Sequence, residues 1–309
     1  MCLVKQYLQF PKHHMTEKDF EYFDRKSRDY SKLMESNGFD YSVNKVEYKS
    51  KDFYKILELA GDKFELAFDF EIIYSSKELD EFNFFRVDAT SSIAMKNDIT
   101  YSRQYDELLK QNSKYDVLCS IVGQKVWTKN KMIVISQTKL VVDDYLYSLI
   151  IKSDLRGYAF QNIYNITTKK YENAYCLSSE VFIEQSKRIK DKLTYKSTYS
   201  LATQGYYIFS KDTFDTNIDF FNIGSKDTGE LIVSSKSRMF FKKHKTKGVI
   251  FEPVYETDTI RFSQYNNFIK EFANILYRYN HNHIIGLTGE RIQVASLKEG
   301  LLGNSNSPN

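Results

Sequence analysis

The chain has 309 residues, 42% hydrophobic, 27% charged and 16% aromatic, long enough for one or two domains and too apolar for disorder. A protein of this size buries roughly three quarters of its unfolded surface, so its core needs neither disulfides nor metal ions. No apolar run exceeds four residues, which excludes a membrane-spanning helix, and Met1-Cys2-Leu3-Val4 before Lys5 is too short for a signal-peptide core. A cytoplasmic protein without membrane contact is therefore expected. Cys2, Cys119 and Cys176 are far apart and form no CxxC pair, so neither a disulfide framework nor a zinc site is expected.

The net charge of +4 hides an asymmetry. Residues 1–110 carry 17 Lys+Arg against 21 Asp+Glu, and the remainder carries 27 against 19. The densest basic run is Lys236, Arg238, Lys242, Lys243, His244, Lys245 and Lys247, with no carboxylate between Glu230 and Glu252. Such a run suits phosphate or an acidic partner surface. Read plainly, it is a solvated helix face, the commoner case.

An N-terminal α+β region of unassigned role is expected over residues 1–112. Thr16-Glu17-Lys18-Asp19-Phe20 reads as a capped helix start. Phe64, Leu66, Phe68, Phe70 and Ile72 then alternate with Glu65, Ala67, Asp69 and Glu71, which predicts a strand with one apolar and one mostly acidic face. Residues 75–81 read as a turn or short helix, and Phe82 to Val87 as a neighbouring strand.

The second region, residues 113–256, reads as two degenerate copies of a strand–helix–strand unit. Gly123-Gln124-Lys125-Val126-Trp127-Thr128-Lys129 lies over Gly229-Glu230-Leu231-Ile232-Val233-Ser234-Ser235. Each is a short β-type run ending in a helix-capping Thr or Ser. The closing strands are Tyr145–Ile151 in the first copy and Gly248–Val254 in the second, with Gly248 at a helix end and Pro253 at a strand end or edge. Residues 158–166 continue the β pattern, 180–205 reads as polar helix plus loop, and Asp219–Ile223 as a short strand. Phe268, Phe272, Ile275, Leu276 and Tyr279 have helical spacing in a C-terminal extension over 257–300, and 301–309 is a polar tail expected to be disordered. The fold class is α+β, with mixed sheets and packed helices.

Catalytic motifs are missing: there is no GxGxxG, Walker A loop, HExxH, GxSxG or EF-hand loop. Asp40 followed by Glu47-Tyr48-Lys49 could hold Mg²⁺ and orient water for phosphodiester hydrolysis. His281-Asn282-His283 reads better as a surface turn than as a metal site, and His13-His14 lacks a spaced acidic partner. Asp143-Asp144 could meet a hard cation, yet adjacent carboxylates on a strand point apart and mark a loop. The 24 Tyr and 23 Phe are mostly core, with some available to an interface. No catalytic, cofactor-binding or metal-binding residue is assigned.

Residues 229–238 and Lys245-Thr246-Lys247-Gly248-Val249-Ile250-Phe251-Glu252-Pro253-Val254 carry one further signal. They resemble the C-terminal signature of a family of bacterial immunity proteins from polymorphic toxin systems, grouped around a myxobacterial protein. That signature is an I-V-S strand end, a helix, then K-G-apolar-x-F-x-P-V. Tyr115 to Leu118, Tyr158 to Ile166 and Asp219-Phe220-Phe221 resemble the family's earlier segments, so the likeness covers about residues 113–256. Trp127 stands where the family has an aliphatic residue. The resemblance implies a cytoplasmic antitoxin that holds a cognate toxin and performs no catalysis. The acidic strand face of Glu65, Asp69 and Glu71 would suit a basic nuclease toxin, and Lys242, Lys243 and Lys245 an acidic one. Two rival readings follow from residues alone: a metal-dependent nuclease using Asp40, Glu47 and Lys49, and a nucleic-acid-binding module using 236–247; the expected partner is a protein toxin, and nucleic acid is not expected as one.

Overall fold

Strand pairing in the protein, described from a computed structural model, is organised by a duplication. The structure describes residues 3–11, 34–36, 40–60, 67–90, 92–93, 120–121, 127–135, 139–165, 168–189, 207–224, 230–285 and 291–300, with 17, 18, 21, 22 and 25. The first strands are β1 (Leu3–Pro11), β2 (Met34–Ser36) and β3 (Asp40–Glu47), followed by helix α1 (Lys51–Ala60) and β4 (Ala67–Ile73). The one-turn helix α2 (Ser76–Leu79) starts at a reciprocal cap, in which Ser75 and Glu78 each bond the other's backbone N–H. It leads into β5 (Phe84–Ala89), β6 (Ser92–Ile93) and β7 (Ser120–Ile121). A hairpin of β8 (Met132–Ile135) and β9 (Lys139–Asp143) runs into α3 (Asp144–Ile151) and β10 (Tyr158–Asn165).

The chain then repeats itself. It passes through β11 (Lys170–Ser179), β12 (Phe182–Ile183), β13 (Arg188–Ile189) and β14 (Tyr207–Phe209). A second hairpin-like pair, β15 (Phe220–Ile223) and β16 (Glu230–Ser234), runs into α4 (Ser235–Lys243) and β17 (Val249–Glu256). The long helix α5 (Ile260–Arg278), then β18 (His283–Ile285), β19 (Arg291–Gln293) and α6 (Val294–Leu297), complete the described chain.

Two of the three sheets formed by the described residues have one plan. In the first the order is β6-β8-β9-β11-β10-β7, and in the second it is β12-β15-β16-β5-β17-β14-β13. In each, a strand–helix–strand unit (β9-α3-β10 or β16-α4-β17) is split by an antiparallel central strand. Parallel partners then flank both sides, β6 and β7 in one sheet, β12 and β14 in the other. The central strands are exchanged. β5, which opens the first copy, fills the second sheet, while β11, which opens the second copy, fills the first.

Register makes the equivalence residue by residue. Cys176 faces Val141 and Gln161, and Arg86 faces Ile232 and Glu252. Asp143 and Ser234 cap the two helices, accepting from the backbone N–H of Leu146 and Ser237. Gly157 and Gly248 precede the outgoing strands at φ +84° and +75°. Their carbonyls accept from the N–H of Glu180 and Thr90 respectively. A Cβ on Gly248 would lie 2.6 Å from the Met132 carbonyl oxygen, and one on Gly157 would lie 2.6 Å from Ile218 Cγ2.

Several expectations change here. Tyr145–Ile151 is not a strand but the body of α3, because Asp143 caps it and Leu146 and Ile150 are buried on one side. The first copy therefore runs over β9-α3-β10, not 123–151, and 180–189 forms short strands and a 3₁₀ turn where a helix was expected. β4 and β5 are not neighbours: β4 pairs with β1 and β18, and β5 with β16 and β17. Strand pairing thus crosses the boundary expected at residue 112. The second copy, the 219–223 strand and the C-terminal helix lie where expected. Glu17, Lys18, Glu21, Tyr22 and Arg25 are helical.

The third sheet, β19-β18-β4-β1-β3-β2, joins the two ends of the described chain. One core unites the three. Phe53, Ile56 and Leu57 of α1 and Phe262, Ile269, Phe272 and Leu276 of α5 meet Phe85, Val87, Leu231, Val233 and Tyr255 from the β5-centred sheet. The same core holds Leu140, Val142 and Leu177 from the β11-centred sheet and Leu146 and Ile150 from α3. Each fully buried ring or aliphatic chain adds about 1.5–3 kcal/mol of transfer free energy. The outer faces carry smaller cores, around Phe84, Phe209, Phe214 and Phe221 on one sheet and Val141, Ile163 and Cys176 on the other. The architecture is α+β.

Candidate functional site

The residues singled out for metal-dependent hydrolysis do not converge. Asp40 and Glu47 are the two end residues of β3, about 20 Å apart at the rise of a strand. Lys49, in a left-handed turn after β3, crosses to Glu271 on α5 at 2.5 Å. It lies on the wall of an open groove of about 880 Å³ shared with Tyr54, Asn267, Lys270 and Arg278. A single cation cannot be shared across that span, so the trio is not one site.

His281 is not on a surface turn. It is buried, with Nε2 3.3 Å from the Leu57 carbonyl, and it anchors the end of α5 against α1. Asp143 is a helix cap whose second oxygen accepts from Asn130 N–H at 3.1 Å, while Asp144 accepts from the Tyr175 hydroxyl at 3.4 Å. Among the described residues no group of three His, Cys, Asp or Glu is placed to hold a metal ion. His13-His14, Glu65, Tyr115 to Leu118, Gly123 to Val126 and the tail from 301 lie outside the described residues. So do the side chains of Asp69 and Glu71.

The basic run divides in two. Its first part is structural: the buried Arg238 bonds Asp80 at 2.6 Å over the Phe85 ring, and Lys236 meets Asp154 at 3.1 Å and Asp219 at 3.6 Å. The hydrogen bond from Arg238 holds the Asp80 carboxyl below its ordinary pKa, and Lys236 does the same for Asp154. The second part, Lys242 to Lys247, is exposed apart from the half-buried His244 and Thr246.

The densest charged cluster was not visible in the sequence. Arg86, in the middle of β5, has a side chain only 6% exposed. Its guanidinium meets Glu252 at 2.9 Å, Glu230 at 3.0 Å and Asp88 at 3.3 Å, one carboxylate from each of three adjacent strands. Tyr207 of β14 lies between Arg86 and Arg188, with their guanidinium carbons 5.4 and 3.9 Å from its ring centre. Burial opposes the Arg86 charge, but Glu252, Glu230 and Asp88 outweigh it and raise the pKa above the usual arginine value. Burial also raises the Glu230 pKa, against the pull of Arg86 and Arg188.

Chemically this cluster is saturated. Each carboxylate is paired with Arg86, and among the described residues of the cluster no nucleophile stands beside a base. It fixes strands by charge and direction, which the apolar Cys176 position of the sister sheet does without ions. No protein-family model matches the chain, and no match to a curated protein or a solved structure reaches significance. No described helix is long and apolar enough to cross a membrane.

Proposed function

We propose that this protein is an immunity protein that binds and neutralises a cognate bacterial toxin without catalysis. The supporting observation is how the signature segment is used. Ile232, Val233 and Ser234 end β16, Ser234 caps α4, Gly248 makes the tight approach to Met132, and Val249 to Val254 form most of β17. The described residues of the signature are thus caps, turns, helix or pairing strand, as expected of a scaffold that presents a surface instead of an active site. Inhibition then rests on occluding or distorting the toxin through an interface of about 1,600 Å². The cytoplasm, where a toxin would act, is the proposed location.

The test is co-expression. The product of the neighbouring reading frame is expected to kill cells when expressed alone, to be tolerated with this protein, and to co-purify with it. A harmless neighbour that forms no complex would overturn the proposal.

A further inference from the structure

The two duplicated sheets meet each other at two equivalent junctions, and the two differ in charge. At one, Asp219 N–H donates to the Arg156 carbonyl and Asp219 Oδ2 accepts from Arg156 N–H. Ser234 Oγ donates to Asp219 Oδ1, and Lys236 closes on Asp154 and Asp219. Every formal charge there except that of the exposed Arg156 side chain is paired.

At the other junction the equivalent positions are inverted. Lys131 stands where Asp219 does, and Lys245 where Asp154 does. Lys247 replaces Arg156, and Tyr145 replaces Lys236. Two left-handed turns, at Asn130 (φ 55°) and Lys245 (φ 52°), are locked together. Asn130 Nδ2 donates to the carbonyls of His244 and Lys245, Lys247 N–H donates to the Asn130 carbonyl, and Met132 N–H donates to the Lys247 carbonyl. The stem of Lys131 runs alongside Gly248. Lys129 Nζ sits 4.6 Å from the centre of the Tyr145 ring, which is 40% exposed.

This brings Lys129 and Lys131 beside Lys245 and Lys247, more than a hundred residues away in the chain. None of the four is in an ion pair among the described residues. The locked turns fix where the lysines leave the backbone, so unpaired positive charge is held on one rigid platform.

We infer that this lysine platform, with Tyr145, binds the phosphate backbone of single-stranded nucleic acid, a function separate from toxin binding. An acidic protein surface is the weaker occupant, because lysine is depleted at the cores of protein interfaces and no arginine anchors this one. Clustered lysines with one exposed ring match the two components of single-strand binding: charge that meets phosphates, and a face on which a base stacks. Four phosphate contacts give a slope of log affinity against log salt of about −3.

The experiment is fluorescence anisotropy of the full chain with a fluorescein-labelled 20-nucleotide single strand, from low to physiological salt. Wild type is expected to bind at low salt with that slope. The variant Lys129→Glu/Lys131→Glu/Lys245→Glu/Lys247→Glu should lose about thirtyfold or more in affinity and most of the slope. Tyr145→Ala should lose several-fold at unchanged slope. A control with equal net-charge change on exposed lysines elsewhere, Lys51→Glu/Lys152→Glu/Lys169→Glu/Lys170→Glu, should retain most of the affinity, with circular dichroism showing all variants folded. No binding by wild type, or equal losses in control and platform variants, would overturn the inference. So would a platform variant that binds the strand normally but no longer holds the co-purifying toxin, which would give the surface to a protein partner.

Discussion

The β11-centred and β5-centred sheets share strand order, register, helix caps and glycine turns, yet they solve their centres differently. Cys176 is a small buried side chain among Val141, Ile163 and Ala174. Arg86, at the same place, needs three carboxylates from three strands. Backbone pairing therefore sets the plan, and the side chain at the centre is free to be apolar or ionic so long as its surroundings change with it.

The largest expected break in that comparison is Arg86→Ala. It strands Asp88, Glu230 and Glu252 together with little solvent, and should cost about 3–5 kcal/mol in urea unfolding. Cys176→Ala, at the matching position, should cost about 1 kcal/mol. Equal costs would mean that the ionic cluster contributes no more than packing.

Next come the paired glycines. Both occupy left-handed backbone, which costs a side chain roughly 1–2 kcal/mol before any clash. Gly248→Ala should be the more damaging of the two, because the Cβ meets backbone oxygen, whereas at Gly157 the nearest atom is a side-chain methyl. Thermal unfolding of the two variants would rank them.

The caps should separate by less. Ser234→Ala loses the bond to Ser237 N–H and the donor to Asp219 Oδ1, and Asp143→Ala loses its bonds to Leu146 and Asn130 N–H. Each should cost about 1–2 kcal/mol. The double-variant cost should be the sum, since the sites lie in different sheets.

The smallest effect is a pH dependence. Burial raises the Glu230 pKa above its ordinary 4.5, so just above that pH the folded protein holds a proton the unfolded chain has released. This carboxyl therefore lowers stability as pH rises through that window. Glu230→Gln should flatten the decline, seen as a difference between wild-type and variant unfolding curves taken from pH 4.5 to 7. Glu256, also raised by burial, contributes equally to both proteins and cancels.

Much of the second copy was legible because its signals are local: Ser234 before a helix and Gly248 after it, although Pro253, expected at a strand end or edge, lies buried within the inner strand β17. The first copy misled because Tyr145-Leu146-Tyr147-Ser148-Leu149-Ile150-Ile151 is rich in strand-favouring residues. Its helix is set by one cap, Asp143, which sat in a pair that read as a loop. The α5 helix was plain from its spacing. The Arg86 cluster was hidden for a different reason: Glu230 lies 144 residues further on, and nothing local tells an arginine on a strand what will stand across from it. The lysine platform was half legible, in 245–247 but not in 129–131, since only the bonds between the turns at Asn130 and Lys245 unite them.

Exchange of the central strands has a consequence for how the protein is made. A ribosome delivers β5 early, but its partners β16 and β17 emerge only after about 144 more residues. At roughly 5–20 residues per second that is a wait on the order of 10 s, with Phe84, Phe85 and Val87 bare on a strand whose two edges are both open. Neither half of the nascent chain can finish a sheet alone. The cell must therefore shelter an unpaired, aromatic strand until the last third of the protein has been synthesised, and a truncated message would release a product with no way to hide it.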